Sequence, residues 1–133
     1  MQGCLSAEEP EKFYASRLEV TADDAIGRGW VPPWLPSTAH AINETHNIDT
    51  NEVWMIFEFD PLEMGKIEAC KKDNTTEFKN AHGPRIKHRS WWSKPTDNDW
   101  AGYICRWHMK EHARQARLIV SQKRGIAFYW EEH

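Results

Sequence analysis

The fold is decided by residues 101–130, which read AGYICRWHMKEHARQARLIVSQKRGIAFYW. Apolar side chains recur at every second position in three runs of this stretch, which is the period of a β-strand with two different faces. Polar residues at 111–114 separate the first two runs, and Lys123-Arg124-Gly125 separates the last two. Short polar breaks join antiparallel neighbours, so the pattern predicts a three-stranded meander.

A second antiparallel pair is predicted within residues 39–59. From Val53 to Phe59 apolar residues again recur with period two, and Asp49-Thr50-Asn51 in front of them has the composition of a turn. Residues 40–47 are predicted as the partner strand, although Ser37 could instead cap a helix there.

Two short helices are predicted. The first covers Ala22 to Arg28, because Thr21 is a good N-cap and glycines follow. The second runs from Asp60 to about Lys72, because Asp-Pro-Leu-Glu places a cap, a first-turn proline and an acid in the order that a helix start requires. We expect the second helix to bury Leu62, Ile67 and Cys70.

The domain prediction is one α+β domain over residues 12–133, behind an N-terminal tether at 1–11. The expected sheet is mostly antiparallel, with four or five strands from the hairpin and the meander, and one or two short helices lie on it. Residues 73–100 are predicted to form a long loop, and loops of that length are usually functional or disordered. The net charge of −3 gives no electrostatic footprint for nucleic acid.

No catalytic residues, metal ligands or cofactor site are predicted. Residues 108–112 read HMKEH, which fits a zinc-peptidase pattern, but that chemistry needs a helix to align both histidines. The surrounding period of two indicates strand instead. The chain also has no nucleophile-elbow pattern and no glycine-rich phosphate loop.

The N-terminus begins Met1-Gln2-Gly3-Cys4, followed by a short charged segment. Gly-Cys in front of such a tether is similar to the processing site of bacterial lipoproteins, so Cys4 is a candidate for lipidation. Gln2 departs from the small residue usual there, and no complete signal peptide precedes it. The other reading is an ordinary N-terminus with a chance cysteine.

Cys70 and Cys105 remain as an even pair if Cys4 carries lipid. In an oxidising periplasm the pair would bridge, and closing a loop of ~35 residues would stabilise the fold by roughly 3–4 kcal/mol. Two buried free thiols are the alternative, and spacing alone does not decide between them.

Tryptophans in loops can anchor a protein partner or stack on a sugar. The adjacent pair at 91–92 lies beside a basic run, and two more tryptophans flank the prolines of residues 29–36. The candidate partner-binding residues are Trp91, Trp92, Arg85, Lys87, Arg89, Trp30 and Trp34.

Three segments carry a resemblance: Gly29-Trp30-Val31-Pro32, Leu35-Pro36-Ser37-Thr38-Ala39 and His46-Asn47-Ile48-Asp49-Thr50-Asn51. Together with the aromatic strand Phe128-Tyr129-Trp130, they resemble small, largely uncharacterised bacterial lipoproteins. The likeness covers roughly residues 25–60 and 100–131. It implies a location and a fold, and no chemistry.

The expected function is that of a non-enzymatic lipoprotein of the bacterial periplasm, lipid-anchored at the outer membrane. It would bind an unidentified envelope or secreted protein, for example as an immunity-type inhibitor, and touch the membrane only through its anchor. One alternative is a peptidoglycan- or glycan-binding module that uses exposed tryptophans. Another is a small metal-dependent hydrolase.

Overall fold

Within the part of the chain that the structure describes, the sheet contains seven strands, and every neighbouring pair is antiparallel. The computed structural model describes residues 9–81, 83–84, 87–96 and 98–131. In chain order the strands are β1 (Glu11–Ser16), β2 (His40–His46), β3 (Val53–Glu58), β4 (Cys70–Lys72), β5 (Ala101–Met109), β6 (His112–Ser121) and β7 (Ile126–Glu131). The other elements among the described residues are helix α1 (Arg17–Ala22) and two 3₁₀ helices, Pro61–Lys66 and Phe78–Asn80.

The strand order is β1-β2-β3-β7-β6-β5-β4. The hairpin β2–β3 and the meander β5–β6–β7 confirm the predicted antiparallel pairs, and residues 40–46 form a strand rather than a helix. The predicted number of four or five strands is wrong, because β1 and β4 extend the sheet at its two edges. The predicted tether also ends inside the fold, since Glu9 is buried and β1 begins at Glu11.

The first predicted helix is displaced along the chain. Helix α1 ends at Ala22, where the prediction began, and residues 23–29 form successive turns. Asp24 has a φ of 55°, a left-handed conformation that a continuous α-helix does not tolerate. The backbone reverses there, and the Ala25 N–H donates to the carbonyl of Val20.

The second predicted helix is shorter than expected. Asp60 does cap it, because its carboxylate accepts a hydrogen bond of 3.0 Å from the N–H of Leu62. A 3₁₀ helix then ends at Lys66, and Cys70–Lys72 pairs with β5 instead of continuing it. Leu62 is 80% exposed, so its predicted burial is wrong, whereas Ile67 is partly buried and Cys70 is buried.

Both faces of the sheet are covered. We call one the helix-side face; it carries Ile42, Met55, Leu118 and Tyr129, and it packs under α1 and the segment up to residue 39. We call the other the loop-side face; its core is formed by Trp54, Ile119, Phe128 and Trp130 from the strands and by Trp92 from the loop.

The described part of the long loop covers the loop-side face with aromatic rings. The ring of Trp92 lies 5.5 Å from that of Phe128 and 6.1 Å from that of Trp130, measured between centroids. Phe78 lies 5.1 Å from Phe128, and Trp100 lies 5.5 Å from it. The loop therefore has a packing role that its polar composition did not indicate.

Cys70 and Cys105 form a disulfide. They are direct cross-strand partners in the register of β4 and β5, so the bond joins the short edge strand to the sheet. None of the described helices is long and apolar enough to cross a membrane.

Candidate functional site

Charged and polar side chains are buried at one end of the helix-side face. We call them the buried polar cluster, which consists of Glu44, His46, Arg114, Tyr129 and Glu131. Strand alternation brings them together: Glu44 and His46 follow Ile42 at every second position of β2. The registers then align His46 with Val53 and Val53 with Glu131 across three strands.

Arg114 and Glu131 form the ion pair of this cluster. Nε of Arg114 contacts Oε2 of Glu131, and Nη2 donates to Oε1 at 2.7 Å. Nη2 also donates to the carbonyl of Gly29 at 3.0 Å, and the hydroxyl of Tyr129 donates to Glu131 at 3.1 Å. The hydrogen bonds to Glu131 raise the pKa of the Arg114 guanidinium, which therefore stays cationic.

Glu44 and His46 form a second pair beside it. Nδ1 of His46 lies 2.7 Å from Oε2 of Glu44, while Oε1 of Glu44 is buried with no hydrogen-bond partner. Burial raises the pKa of Glu44, although its contact with His46 acts in the opposite direction. The indole of Trp30 stacks on the His46 imidazole, with 3.7 Å between ring centroids and 6° between planes.

An open cleft of about 470 Å³ lies next to the cluster. We call it the basic cleft. It is lined by Gly27, Arg28, Gly29, Trp30, Asn51, Met109, Lys110, His112, Ala113 and Arg114. Three of these side chains are cationic, and none is acidic. Arg114 belongs to both the cleft and the cluster, so Glu131 holds one wall of the cleft in place.

The candidate partner-binding residues do not form one surface. Trp92 and Arg89 are buried on the loop side, where Nη2 of Arg89 donates to the carbonyl of Glu9. Both side chains are thus mostly shielded from solvent, unlike the exposed contact residues that the sequence predicted. The physical reason is that the loop folds back onto β1 and the aromatic core.

The other candidates are scattered. Trp91 is partly buried and donates from Nε1 to Glu11, and Lys87 is exposed. Trp34 is partly buried against Trp107, with 5.6 Å between centroids, and Trp30 alone of the six described candidates lines the basic cleft. Arg85 and Cys4 lie outside the described residues.

Arg114 and Glu131 were missed in the sequence as site residues. A signal was present, because Arg114 and Glu131 occupy positions that strand alternation assigns to the apolar face of β6 and β7. A charged residue in phase with core residues indicates either a buried pair or a functional group.

The HMKEH segment crosses the β5–β6 turn. His108 pairs with Ala113 and Met109 pairs with His112 in the hairpin register, so no helix aligns the two histidines. Across the described ranges, no group of three or more His, Cys, Asp or Glu side chains could hold a metal ion.

The comparisons with known proteins match only part of the chain. A family model described as the YbbD head domain matches residues 8–58, which contain β1, α1, β2 and β3. No curated protein and no solved structure matches the chain. Over its first three strands, the chain is therefore similar to the YbbD head domain.

Proposed function

We propose that this chain is a non-enzymatic lipoprotein of the bacterial envelope that binds a protein partner through the basic cleft. An immunity-type inhibitor of a secreted protein is the form of this function that we favour. The observation that carries the proposal is the lining of the cleft, where Trp30 lies among Arg28, Lys110 and Arg114. Tryptophan and arginine are the residue types that dominate the binding energy of protein interfaces.

The arrangement favours binding over catalysis. Glu44 and His46 are buried and do not line the cleft, and His112, which does line it, has no carboxylate beside it among the described lining residues. The described lining residues include no serine, cysteine or threonine that could act as a nucleophile. What the cleft offers instead is a rigid aromatic ring with fixed positive charge beside it.

Two further observations support the envelope setting. The Cys70–Cys105 disulfide is typical of an oxidising compartment such as the periplasm. The Gly3-Cys4 dipeptide is compatible with a lipid anchor at the outer membrane. The lipid would be the chain's only contact with the membrane, and nucleic acid is no part of the proposal.

The test is a protection and binding assay with the product of the gene that neighbours this one. We expect the wild-type chain to protect cells from that product and to bind it in purified form. Trp30→Ala should weaken binding about tenfold or more, since loss of an interface anchor costs upwards of 1.4 kcal/mol.

Trp91→Ala is the matched control, because Trp91 is also a partly buried tryptophan but lies on the loop side. Thermal melting shows that each variant is folded. Retained binding in Trp30→Ala with loss in Trp91→Ala would move the interface to the loop. The proposal fails if the wild type binds neither the neighbouring gene product nor any envelope protein in a purified pair.

A further inference from the structure

The β5–β6 turn presents a cation that the fold does not use. Lys110 is exposed, adopts a left-handed φ of 56°, and forms no ion pair with any described residue. Glu111 follows it in the turn but does not line the cleft. The positive charge of Lys110 is therefore available at the mouth of the cleft.

Arg114 presents a second, deeper donor. Its Nε and Nη2 are bound to Glu131, which fixes the plane of the guanidinium. Among the described residues, the hydrogen-bond contact of its Nη1 is the thioether of Met109, at 3.7 Å, and thioether sulfur is a weak acceptor. Nη1 is thus oriented in advance for a better acceptor than this sulfur.

Gly29 keeps the approach to this donor open. A Cβ at position 29 would lie 3.3 Å from Nη1 of Arg114, and the φ of +86° is one that other residues rarely adopt. A glycine therefore adopts this left-handed backbone conformation without strain, and it leaves room beside the guanidinium.

The other charged residues around the cleft leave it with an excess of positive charge. Arg28 also lines it, although its Nη2 lies 2.9 Å from Asp23, so part of its charge is already balanced. None of the described residues that line the cleft is acidic, whereas the whole chain carries a net charge of −3. A local excess of cations on an acidic protein is a feature that charge complementarity with a partner requires.

We infer that the basic cleft receives an acidic segment of a protein partner. One carboxylate pairs with Nη1 of Arg114, a second pairs with Lys110, and the backbone between them packs on Trp30. This inference rests on the proposed function and names the chemistry of the partner. Carboxylates match guanidinium groups in geometry, and the resulting hydrogen bonds are about twice as strong as neutral ones.

The experiment titrates the protein with defined peptides by calorimetry at about 0.1 M salt. A hexaglutamate peptide should bind, and a hexaglutamine peptide of the same length should not. Lys110→Glu should weaken binding of hexaglutamate about tenfold or more. Raising the salt to ~1 M should also weaken it, because the Debye length falls to about 3 Å.

Lys123→Glu is the matched control with the same charge change. Lys123 is exposed in the β6–β7 turn, at the far end of β6. Ten residues of strand at about 3.3 Å each separate the two turns by roughly 30 Å, beyond the Debye length. The affinity of the Lys123→Glu variant for hexaglutamate should stay within twofold of the affinity of the wild type.

Three results would overturn the inference. The first is that the protein binds hexaglutamate and hexaglutamine with equal affinity, and the second is that both lysine variants lose the same affinity for hexaglutamate. The third is that the protein binds vesicles of anionic lipid as tightly as it binds hexaglutamate. The outcome is separable from that of the proposed function. A partner protein that still binds Lys110→Glu contradicts only this inference, whereas hexaglutamate binding without any partner protein contradicts only the proposed function.

Discussion

The two faces of the sheet are buried in different ways. The loop-side core consists mainly of aromatic rings, which meet edge to face, together with the aliphatic side chain of Ile119. The helix-side face contains a larger apolar core, but one end of it buries Glu44, His46 and Glu131, and the half-buried Arg114 pairs with Glu131 there. Burying charged groups usually adds little net stability, because desolvation offsets the attraction between them. The comparison teaches that apolar burial on both faces stabilises the fold, while the polar end of the helix-side face also positions side chains at the basic cleft.

The largest expected loss of stability comes from a substitution in the loop-side core. Trp130 is 2% exposed, and Trp130→Ala should lower the free energy of unfolding by about 4 kcal/mol through lost burial and a cavity. Urea unfolding measures the loss. Trp91→Ala on the same face is the control and should cost less than half as much, because Trp91 is only partly buried. Equal losses would show that the loop-side core is not organised as described.

The next largest loss of stability comes from removing one partner of the ion pair on the helix-side face. Arg114→Met should lower the free energy of unfolding by about 3 kcal/mol, because it leaves the fully buried Glu131 without its cation. The double variant Arg114→Met/Glu131→Leu should recover most of that loss, since it removes both charges. A double-mutant cycle by urea unfolding measures the coupling. A double variant as unstable as the single one would mean that Arg114 acts through packing alone.

The smallest expected effect concerns Glu44 and depends on pH. Burial raises the pKa of Glu44 in the folded state above the unfolded value of about 4.3, so protonated Glu44 favours folding. That contribution is complete below pH ~4.3 and is lost as the pH rises through the folded pKa. Because Gln cannot ionise, Glu44→Gln should become more stable than the wild type over that range.

Chemical unfolding of both proteins from pH 4 to 8 measures this difference. His46, Lys12 and Arg28 favour the charged form, and Tyr14 and Tyr129 also face Glu44, so we expect the gain to be smaller than the two losses above. Asp73→Asn is the opposite control. Hydrogen bonds from Thr76 and Thr75 lower the pKa of Asp73, so its contribution is present at neutral pH and is lost as the pH falls. A stability difference between Glu44→Gln and wild type that does not vary with pH would contradict the assignment.

The sequence predicted those parts of the fold that have a local pattern. The hairpin and the meander were found because alternation extends over six or more residues in each strand. Edge strands β1 and β4 were missed, since a six-residue strand that exposes Phe13 and a three-residue strand both lack a clear apolar period. The pairing of β3 with β7 depends on contacts across some 70 residues, which no local pattern encodes.

The candidate site was predictable only in part. Trp30 was found from its composition and proline-rich context, and it does line the cleft. Arg114 and Glu131 were in phase with the apolar positions of their strands, so their burial could have been inferred. Their pairing could not, because it needs the order of β6 and β7 in the sheet. The burial of Trp92 and Arg89 likewise depends on how the long loop folds back.

The central position of β7 in the sheet bears on whether the segment that matches the family model can fold alone. The segment that matches the YbbD head domain ends at residue 58, together with β3. All six residues of β3 pair with β7, which the chain reaches only at residue 126. Cut out alone, residues 8–58 would leave Val53–Glu58 as a bare edge with apolar side chains on both faces, the kind of edge that recruits other chains. We therefore expect that the matched segment of this protein does not fold on its own, because its third strand shares the sheet with β7.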